Sequence, residues 1–519
     1  MKFIIKNNKS IILIFLGLLL IINKYMVLNE FGFKYTGSDD LIFWQSASDY
    51  MKGIFHEPYF YGQNYNFLLE SIFAIPFLIL GLPHYMALPI SSVLISLFPF
   101  FLFSIILFRK DYVINSYLFL LIPLTLPIEY DILTSVSRGF FNGLFFCSFL
   151  VFSLLKPTER KSFAILGLSV SFAYITNPNS LLFSLPICLY LLFNNFKSPS
   201  FFLIAIVSSI PALIIQYFAK EFYINNPIYL VHSMWELNYS FYSFLEGFTH
   251  LDKYFRYLTP ILWKGNWIVI ILIIFLGFIS LKNNWKKGLS ILLSTLFIFS
   301  LMGINKINDD IGTIFLSSNR MFLAIPLFLG LSIFWTKEVF TNVEKWKLII
   351  LCLGISIFLI KISCYHPIIS QHTKKTNFGP IAIKKIEDLK TQCSEIKNIT
   401  AKYKIDLIVF IPNGNLNVPE MQFYNYGCPI IEENISSSVM NVYERRTWVF
   451  EEEKYKARKT VLIFNHYVEN IEDIKKTLDC EIINNEPYMI LIRNNNRNIK
   501  ELSEILNFPY KRHTYLLVK

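Results

Sequence analysis

Apolar and polar residues alternate in long blocks along the first 365 positions of the chain. Mostly apolar runs are separated by short polar segments, which is the pattern of helices that cross a membrane. Several runs have only about 15 to 17 residues, fewer than the ~20 that a span normally needs, so their edges are placed to within a few residues. The pattern predicts about eleven spans, at residues 11–22, 85–108, 113–128, 140–155, 162–175, 181–194, 201–219, 266–281, 289–304, 321–336 and 348–363.

The pattern changes after about residue 366, where short apolar segments alternate with helical repeats. We expect helices over 381–403 and 471–478, and strands over 406–411, 460–464 and 488–492. The predicted fold is an α-helical polytopic membrane protein with a C-terminal α/β domain outside the cytoplasm. The predicted boundary divides it into a transmembrane domain, 1–366, and an extracytoplasmic domain, 367–519.

Composition supports a membrane protein and excludes several other classes. Apolar residues make up 54% of the chain and charged residues 16%, against roughly 25% charged in soluble domains. A soluble enzyme, a disordered chain and a collagen-like chain are excluded. The net charge of +11 would suggest nucleic acid in a soluble protein. Here Lys and Arg lie in short runs between apolar stretches, so we assign them to membrane orientation and expect no nucleic-acid partner.

The distribution of charged residues also predicts which loops lie on the cytoplasmic side of the membrane. The first apolar run follows Lys2, Lys6 and Lys9, and no small-residue cleavage site comes after it. We therefore predict a retained first span with the N-terminus in the cytoplasm. Alternate loops are short and basic and are placed inside, whereas the other loops carry acids and are placed outside. The expected location is a plasma (inner) membrane, with the C-terminal domain on the outer side.

The first outer loop carries paired acids, Asp39 and Asp40, at the start of a segment over 41–54 with an amphipathic pattern. One interpretation is that Ser38 or Asp39 caps a surface helix. The other is that one acid is a general base while its neighbour tunes the pKa or holds a metal. A cap needs only one acidic residue, so both interpretations stay open.

Two arginines stand at the outer ends of spans. Arg138 follows a second acidic pair, Glu129 and Asp131, and Arg320 directly precedes a late span. An arginine at headgroup depth can bind a phosphate through two hydrogen bonds, although it can also simply extend toward the interface. Glu57, Glu129 and Asp131 are further candidates for binding an acceptor or a metal.

These features resemble the GT-C superfamily of membrane glycosyltransferases, which includes protein O-mannosyltransferases and aminoarabinose transferases. The acidic pair of that family matches Asp39-Asp40 and, more weakly, Glu129-x-Asp131. The order of span, acidic pair and amphipathic segment also matches, as does the sequence Asn-Arg-Met-Phe-Leu-Ala-Ile-Pro around Arg320. The resemblance covers about residues 10–365.

The resemblance implies an enzyme of the cell envelope that transfers a hexose or pentose from a polyprenyl-phosphate donor. Asp39 or Asp40 would deprotonate the acceptor hydroxyl of a glycan, lipid or protein, with inversion at the anomeric carbon. Arg138 or Arg320 would bind the donor phosphate. Members of the family differ in metal use, so a divalent metal stays open.

Three alternatives remain. A lipid-linked glycan transporter or flippase would place charges inside the spans, where the sequence has few. An O-antigen polymerase or ligase would place its chemistry in a large later loop, here residues 220–263. A scaffold would bind a partner through the outer domain.

That outer side also carries four cysteines able to form disulfides, which are Cys364, Cys393, Cys428 and Cys480.

Overall fold

The computed structural model describes most of the membrane part and the regular elements of the C-terminal part. The described residues are 2–61, 66–226, 238–308, 314–316, 318–336, 343–375, 383–405, 407–410, 438–441, 458–464, 471–478, 480–485 and 488–497.

Up to residue 375 the described chain is almost entirely helical. Its helices are α1 (Lys2–Val27), α2 (Ser38–Met51), α3 (Leu69–Ile79), α4 (His84–Arg109), α5 (Val113–Thr125), α6 (Ile128–Leu133), α7 (Asn142–Cys147), α8 (Leu150–Leu155), α9 (Arg160–Thr176), α10 (Leu181–Asn195), α11 (Pro199–Asn225), α12 (Phe241–Thr249), α13 (Leu251–Phe255), α14 (Ile268–Asn283), α15 (Trp285–Ser300), α16 (Asn305–Asn308), α17 (Ile325–Trp335) and α18 (Val343–Lys375).

Each predicted apolar run lies on one of these helices, except that 140–155 covers both α7 and α8. This agreement confirms a helical multi-pass membrane protein. Among the described residues, six stretches are long and apolar enough to cross a membrane by length and composition, and the other five runs fall on shorter helices. The total of eleven spans therefore stays a prediction. The six stretches are Lys9–Gly32, His84–Arg109, Pro199–Asn225, Trp285–Gly303, Ser318–Trp335 and Lys345–Lys374.

Aromatic side chains hold the centre of the bundle together. The Phe103 ring on α4 lies 5.0 Å from Phe119 on α5 and 5.4 Å from Phe183 on α10, and all three rings are buried. At the periphery, by contrast, α11 exposes large apolar side chains such as Leu203 and Phe218. A helix that is apolar on both its inner and outer faces suits a bundle surrounded by lipid.

The predicted amphipathic segment of the first outer loop forms α2. Leu41 and Trp44 on α2 pack into one core with residues beyond the last membrane helix, Leu389 and Ile396 of α19 (Ile386–Tyr403). Just before α2, β1 (Tyr35–Thr36) pairs antiparallel with β2 (Lys384–Lys385). The expected helix over 381–403 therefore begins later, at residue 386, because the chain is a strand immediately before it.

The remaining C-terminal elements form a five-stranded mixed sheet of order β4-β3-β5-β7-β6. Strands β3, β4 and β5 are parallel, and β5, β7 and β6 are antiparallel. The predicted strands and the helix over 471–478 are present, whereas β4 and β6 were not predicted, because their sequences, SVMN and CEIINN, are short or polar. The elements are β3 (Leu407–Phe410), β4 (Ser438–Asn441), β5 (Arg458–Phe464), α20 (Ile471–Leu478), β6 (Cys480–Asn485) and β7 (Tyr488–Arg497).

These contacts relate the two ends of the chain. Because β1 pairs with β2 and α2 shares a core with α19, the first loop and the segment after α18 lie on the same side of the membrane. An even number of crossings must separate them, as eleven spans in total would give.

The domain boundary at 366 stays a prediction, since α18 continues to Lys375. Cys393 of α19 is disulfide-bonded, whereas Cys364 is a free thiol.

Candidate functional site

Two candidate site residues that lie far apart in the sequence meet in an ion pair. Arg138 Nη1 lies 2.8 Å from Asp39 Oδ2, across 99 positions of sequence. The Arg138 side chain is only 4% exposed, whereas that of Asp39 is 45% exposed. The Phe315 ring packs 5.0 Å from the guanidinium carbon. The pair thus consists of a buried, oriented cation and a carboxylate that solutes can reach.

Asp40 has a different role in the same helix turn. Its Oδ2 accepts the backbone N–H of Gly37 at 2.8 Å, so this side chain caps the start of α2. Its Oδ1 is buried. Burial raises the pKa of Asp40 to about 6, although the nearby Arg138 acts to lower it. The capping interpretation named Ser38 or Asp39, but the side chain that bonds back to the helix start is that of Asp40, and Asp39 faces outward.

A further acid, Glu70, is buried near this pair and was not among the predicted site residues. Glu70 accepts the backbone N–H of Gly139 at 2.8 Å and the side-chain amide of Asn142. Its carboxylate also lies close enough to Asp40 to interact electrostatically. The signal in the sequence is an acid at the first turn of an otherwise apolar helix, LESIFAIPFLI. Such an acid must find donors when it is buried.

Asp131 is enclosed by two lysines. Its oxygens lie 2.7 Å from Lys24 Nζ and 2.5 Å from Lys361 Nζ, and Asn23 donates a further hydrogen bond. Lys24 also donates to Thr134. Burial acts to raise the pKa of Asp131, but the two ammonium groups outweigh it and hold the pKa below its usual range. The carboxylate joins α1, α6 and α18, which are the first and last membrane helices and the short helix between them.

The other predicted acids also contact the bundle. The Glu57 carboxylate is buried and accepts the Tyr223 hydroxyl of α11 at 3.0 Å. Glu129 lies 3.3 Å from His372 Nε2 on α18. Among the residues that the structure describes, no group of three or more His, Cys, Asp or Glu side chains could hold a metal ion.

Arg320 lies in the turn Ser318–Phe322 and is buried. Lys306 is its close neighbour: burial and then the positive charge of Arg320 lower the pKa of Lys306 to about 8. Phe315, the ring beneath Arg138, comes five residues earlier, so its Cα lies within about 18 Å of that of Arg320. One segment thus contacts Arg138 and carries Arg320. Lys306 was not among the predicted site residues.

Comparison with known proteins shows the fold. No protein-family model matches the chain, and no curated protein sequence matches it. The structure of ArnT from Cupriavidus metallidurans bound to undecaprenyl phosphate superposes with a TM-score of 0.54 at 9% identity, covering 93% of this chain and 98% of that one. The same ArnT in the apo state gives a TM-score of 0.54 at 10% identity, covering 93% and 97%. The chain therefore has a fold similar to that of ArnT.

Proposed function

We propose that this protein is a glycosyltransferase that moves a sugar from a polyprenyl-phosphate donor to an acceptor hydroxyl at the outer face of the plasma membrane. The observation that carries the proposal is the Asp39–Arg138 ion pair, in which an exposed carboxylate meets a buried, oriented guanidinium. The ArnT-like fold supports a lipid-linked donor, since one of those neighbours is bound to undecaprenyl phosphate.

In this proposal Asp39 is the base, because its carboxylate is exposed while that of Asp40 caps α2. Asp39 takes the proton of the acceptor hydroxyl as the acceptor oxygen bonds to the anomeric carbon. The bond from that carbon to the phosphate oxygen breaks on the opposite face, so the configuration inverts. The lipid phosphate leaves with the electron pair.

The leaving phosphate gains negative charge in the transition state, and an oriented cation stabilises it there. Arg138 is suited to this role because burial and the Phe315 ring restrict its guanidinium. Its Nε, moreover, has no hydrogen bond among the described residues. Arg320, with Lys306 beside it, is the second candidate for the phosphate.

The transporter alternative predicts charges within the spans, and Lys24 and Lys361 are two such charges. Both, however, contact the buried Asp131. A cluster whose charges bind each other favours a structural role, so the glycosyltransferase stays the better proposal.

The test is a transfer assay with purified protein and a panel of polyprenyl-phosphate sugars, with and without EDTA. Removing a general base costs roughly 10² to 10⁴ in rate, so Asp39→Asn should lose donor turnover by that factor. Glu30→Gln is the matched control, because Glu30 is an acid at the start of the same loop that pairs with Lys34. Full turnover by Asp39→Asn would overturn the assigned base. A wild-type protein that neither consumes nor binds any of these donors would overturn the function.

A further inference from the structure

Glu70 is a buried acid that the proposed chemistry does not use. It lies at the start of α3 and is 3% exposed. Its Oε1 accepts the Gly139 N–H at 2.8 Å, and its Oε2 accepts the side-chain amide of Asn142. Asn142 also donates to the Phe67 carbonyl at 3.0 Å, which fastens this amide to the chain just before α3. Both carboxylate oxygens are therefore committed to holding the segment that follows Arg138.

Gly139 shows how tightly that segment is held. Its φ of +71° lies in the left-handed region that favours glycine. Its carbonyl accepts the Asn177 side chain at 2.7 Å, on the opposite side from Glu70. A Cβ added to Gly139 would lie 3.0 Å from Asn66 Nδ2. Gly139 is thus held through both its N–H and its carbonyl oxygen, and a side chain at this position would crowd Asn66.

The geometry points to Glu70 as a positioning residue: it fixes the peptide after Arg138, so that the guanidinium is aimed at Asp39 and at the leaving group. This inference rests on the proposed function. Glu70 acts through Arg138, since the hydrogen bond it accepts comes from the next residue along the chain. Buried hydrogen bonds of this kind contribute more by fixing the orientation of the groups they join than by adding to the net stability of the fold.

The first experiment is a mutant cycle on donor turnover. A misplacement of about 1 Å at a reacting centre can cost on the order of 100-fold, so Glu70→Ala should lower kcat by about that factor. In an Arg138→Ala background, adding Glu70→Ala should cost nothing further, because the group it positions is gone. Equal losses in both backgrounds would overturn the inference, since Glu70 would then act independently of Arg138.

Two further variants distinguish a positioning role of Glu70 from a loss of activity caused by misfolding. Glu70→Gln keeps the volume and one acceptor for Gly139 but meets Asn142 with a second donor, so an intermediate loss of kcat is expected. Asp49→Asn is the matched control, because Asp49 is also a buried acid of this loop but accepts from Gln45 and Tyr61. We expect Asp49→Asn to keep wild-type kcat.

A second readout does not depend on turnover. Phenylglyoxal modifies accessible arginines, and mass spectrometry can quantify the modification of Arg138. Buried Arg138 should be protected in wild type and in Asp49→Asn, and its labelling should rise several-fold in Glu70→Ala. Unchanged labelling would overturn the inference. Absence of turnover in wild type would instead count against the proposed function, while the labelling result would still decide the role of Glu70.

Discussion

Asp131 offers the sharpest test of which acids are structural. The substitution Asp131→Asn keeps the size of the side chain but removes its charge. Asp131 is completely buried, with Lys24 at 2.7 Å and Lys361 at 2.5 Å. The variant therefore leaves two buried ammonium groups without the carboxylate between them.

The expected cost is large because breaking a buried ion pair from one side leaves an uncompensated charge. Such losses run to about 3 to 5 kcal/mol. With about 2.1 cal/mol/K of unfolding entropy per residue, 4 kcal/mol corresponds to a drop in Tm of about 4 °C for a chain of this length. Neutralisation of one lysine in the variant would reduce that figure.

The assay is thermal unfolding in detergent, followed by tryptophan fluorescence. Replacing the whole cluster, as Lys24→Met/Asp131→Leu/Lys361→Met, should recover most of the lost stability, because no charge then stays buried. Glu30→Gln, at an acid that is not buried, should melt like wild type.

If Asp131→Asn melts like wild type, the charge of Asp131 does not stabilise the fold. If that variant also loses turnover, Asp131 returns to the role of acceptor or metal ligand that the sequence suggested. If the triple variant melts below Asp131→Asn, the cost comes from packing rather than from charge.

Three further predictions concern the outer site. Because burial raises the pKa of Asp40 from 3.8 to about 6, its contribution to stability is complete below about pH 3.8 and is lost as the pH rises through 6. Asp40→Asn should remove that loss of stability, which is about 3 kcal/mol. Thermal unfolding of wild type and Asp40→Asn between pH 4 and pH 7 would show it. Gly139→Ala should cost about 1 to 2 kcal/mol and lower turnover, since it places a Cβ at a φ of +71° beside Arg138; a variant as active and as stable as wild type would contradict this. Tyr223→Phe removes a hydrogen bond to buried Glu57 and should cost about 1 to 3 kcal/mol, seen as faster proteolysis of the first loop; unchanged cleavage would argue against it.

The sequence predicted those features of the fold that depend on local pattern and composition. Long apolar runs marked the helices because each run must bury its own backbone hydrogen bonds in lipid. The acidic pair and its amphipathic segment are contiguous, so α2 and its first turn could be recognised. The catalytic and binding roles of Asp39, Arg138 and Arg320 stay predictions.

The remainder of the site depends on contacts between distant positions. Asp39-Asp40 and Glu129-x-Asp131 are both acidic pairs of predicted outer loops. Asp39 nevertheless faces outward, whereas Asp131 is enclosed by lysines 107 positions before it and 230 positions after it. Glu70 meets Gly139 across 69 positions. A sequence shows that such an acid needs partners but does not show which ones, because tertiary packing selects them.

The shared core of α2 and α19 also has a consequence for the order of assembly. Leu41 and Trp44 leave the ribosome roughly 350 residues before Leu389 and Cys393, which complete their core. At about 5 to 20 residues per second, α2 waits roughly 20 to 70 s for those residues. The acid-bearing helix is therefore delivered to the membrane well before the residues that complete its packing. A chain interrupted before residue 384 would carry Asp39 and Arg138 but lack the strand and helix that hold α2 in place.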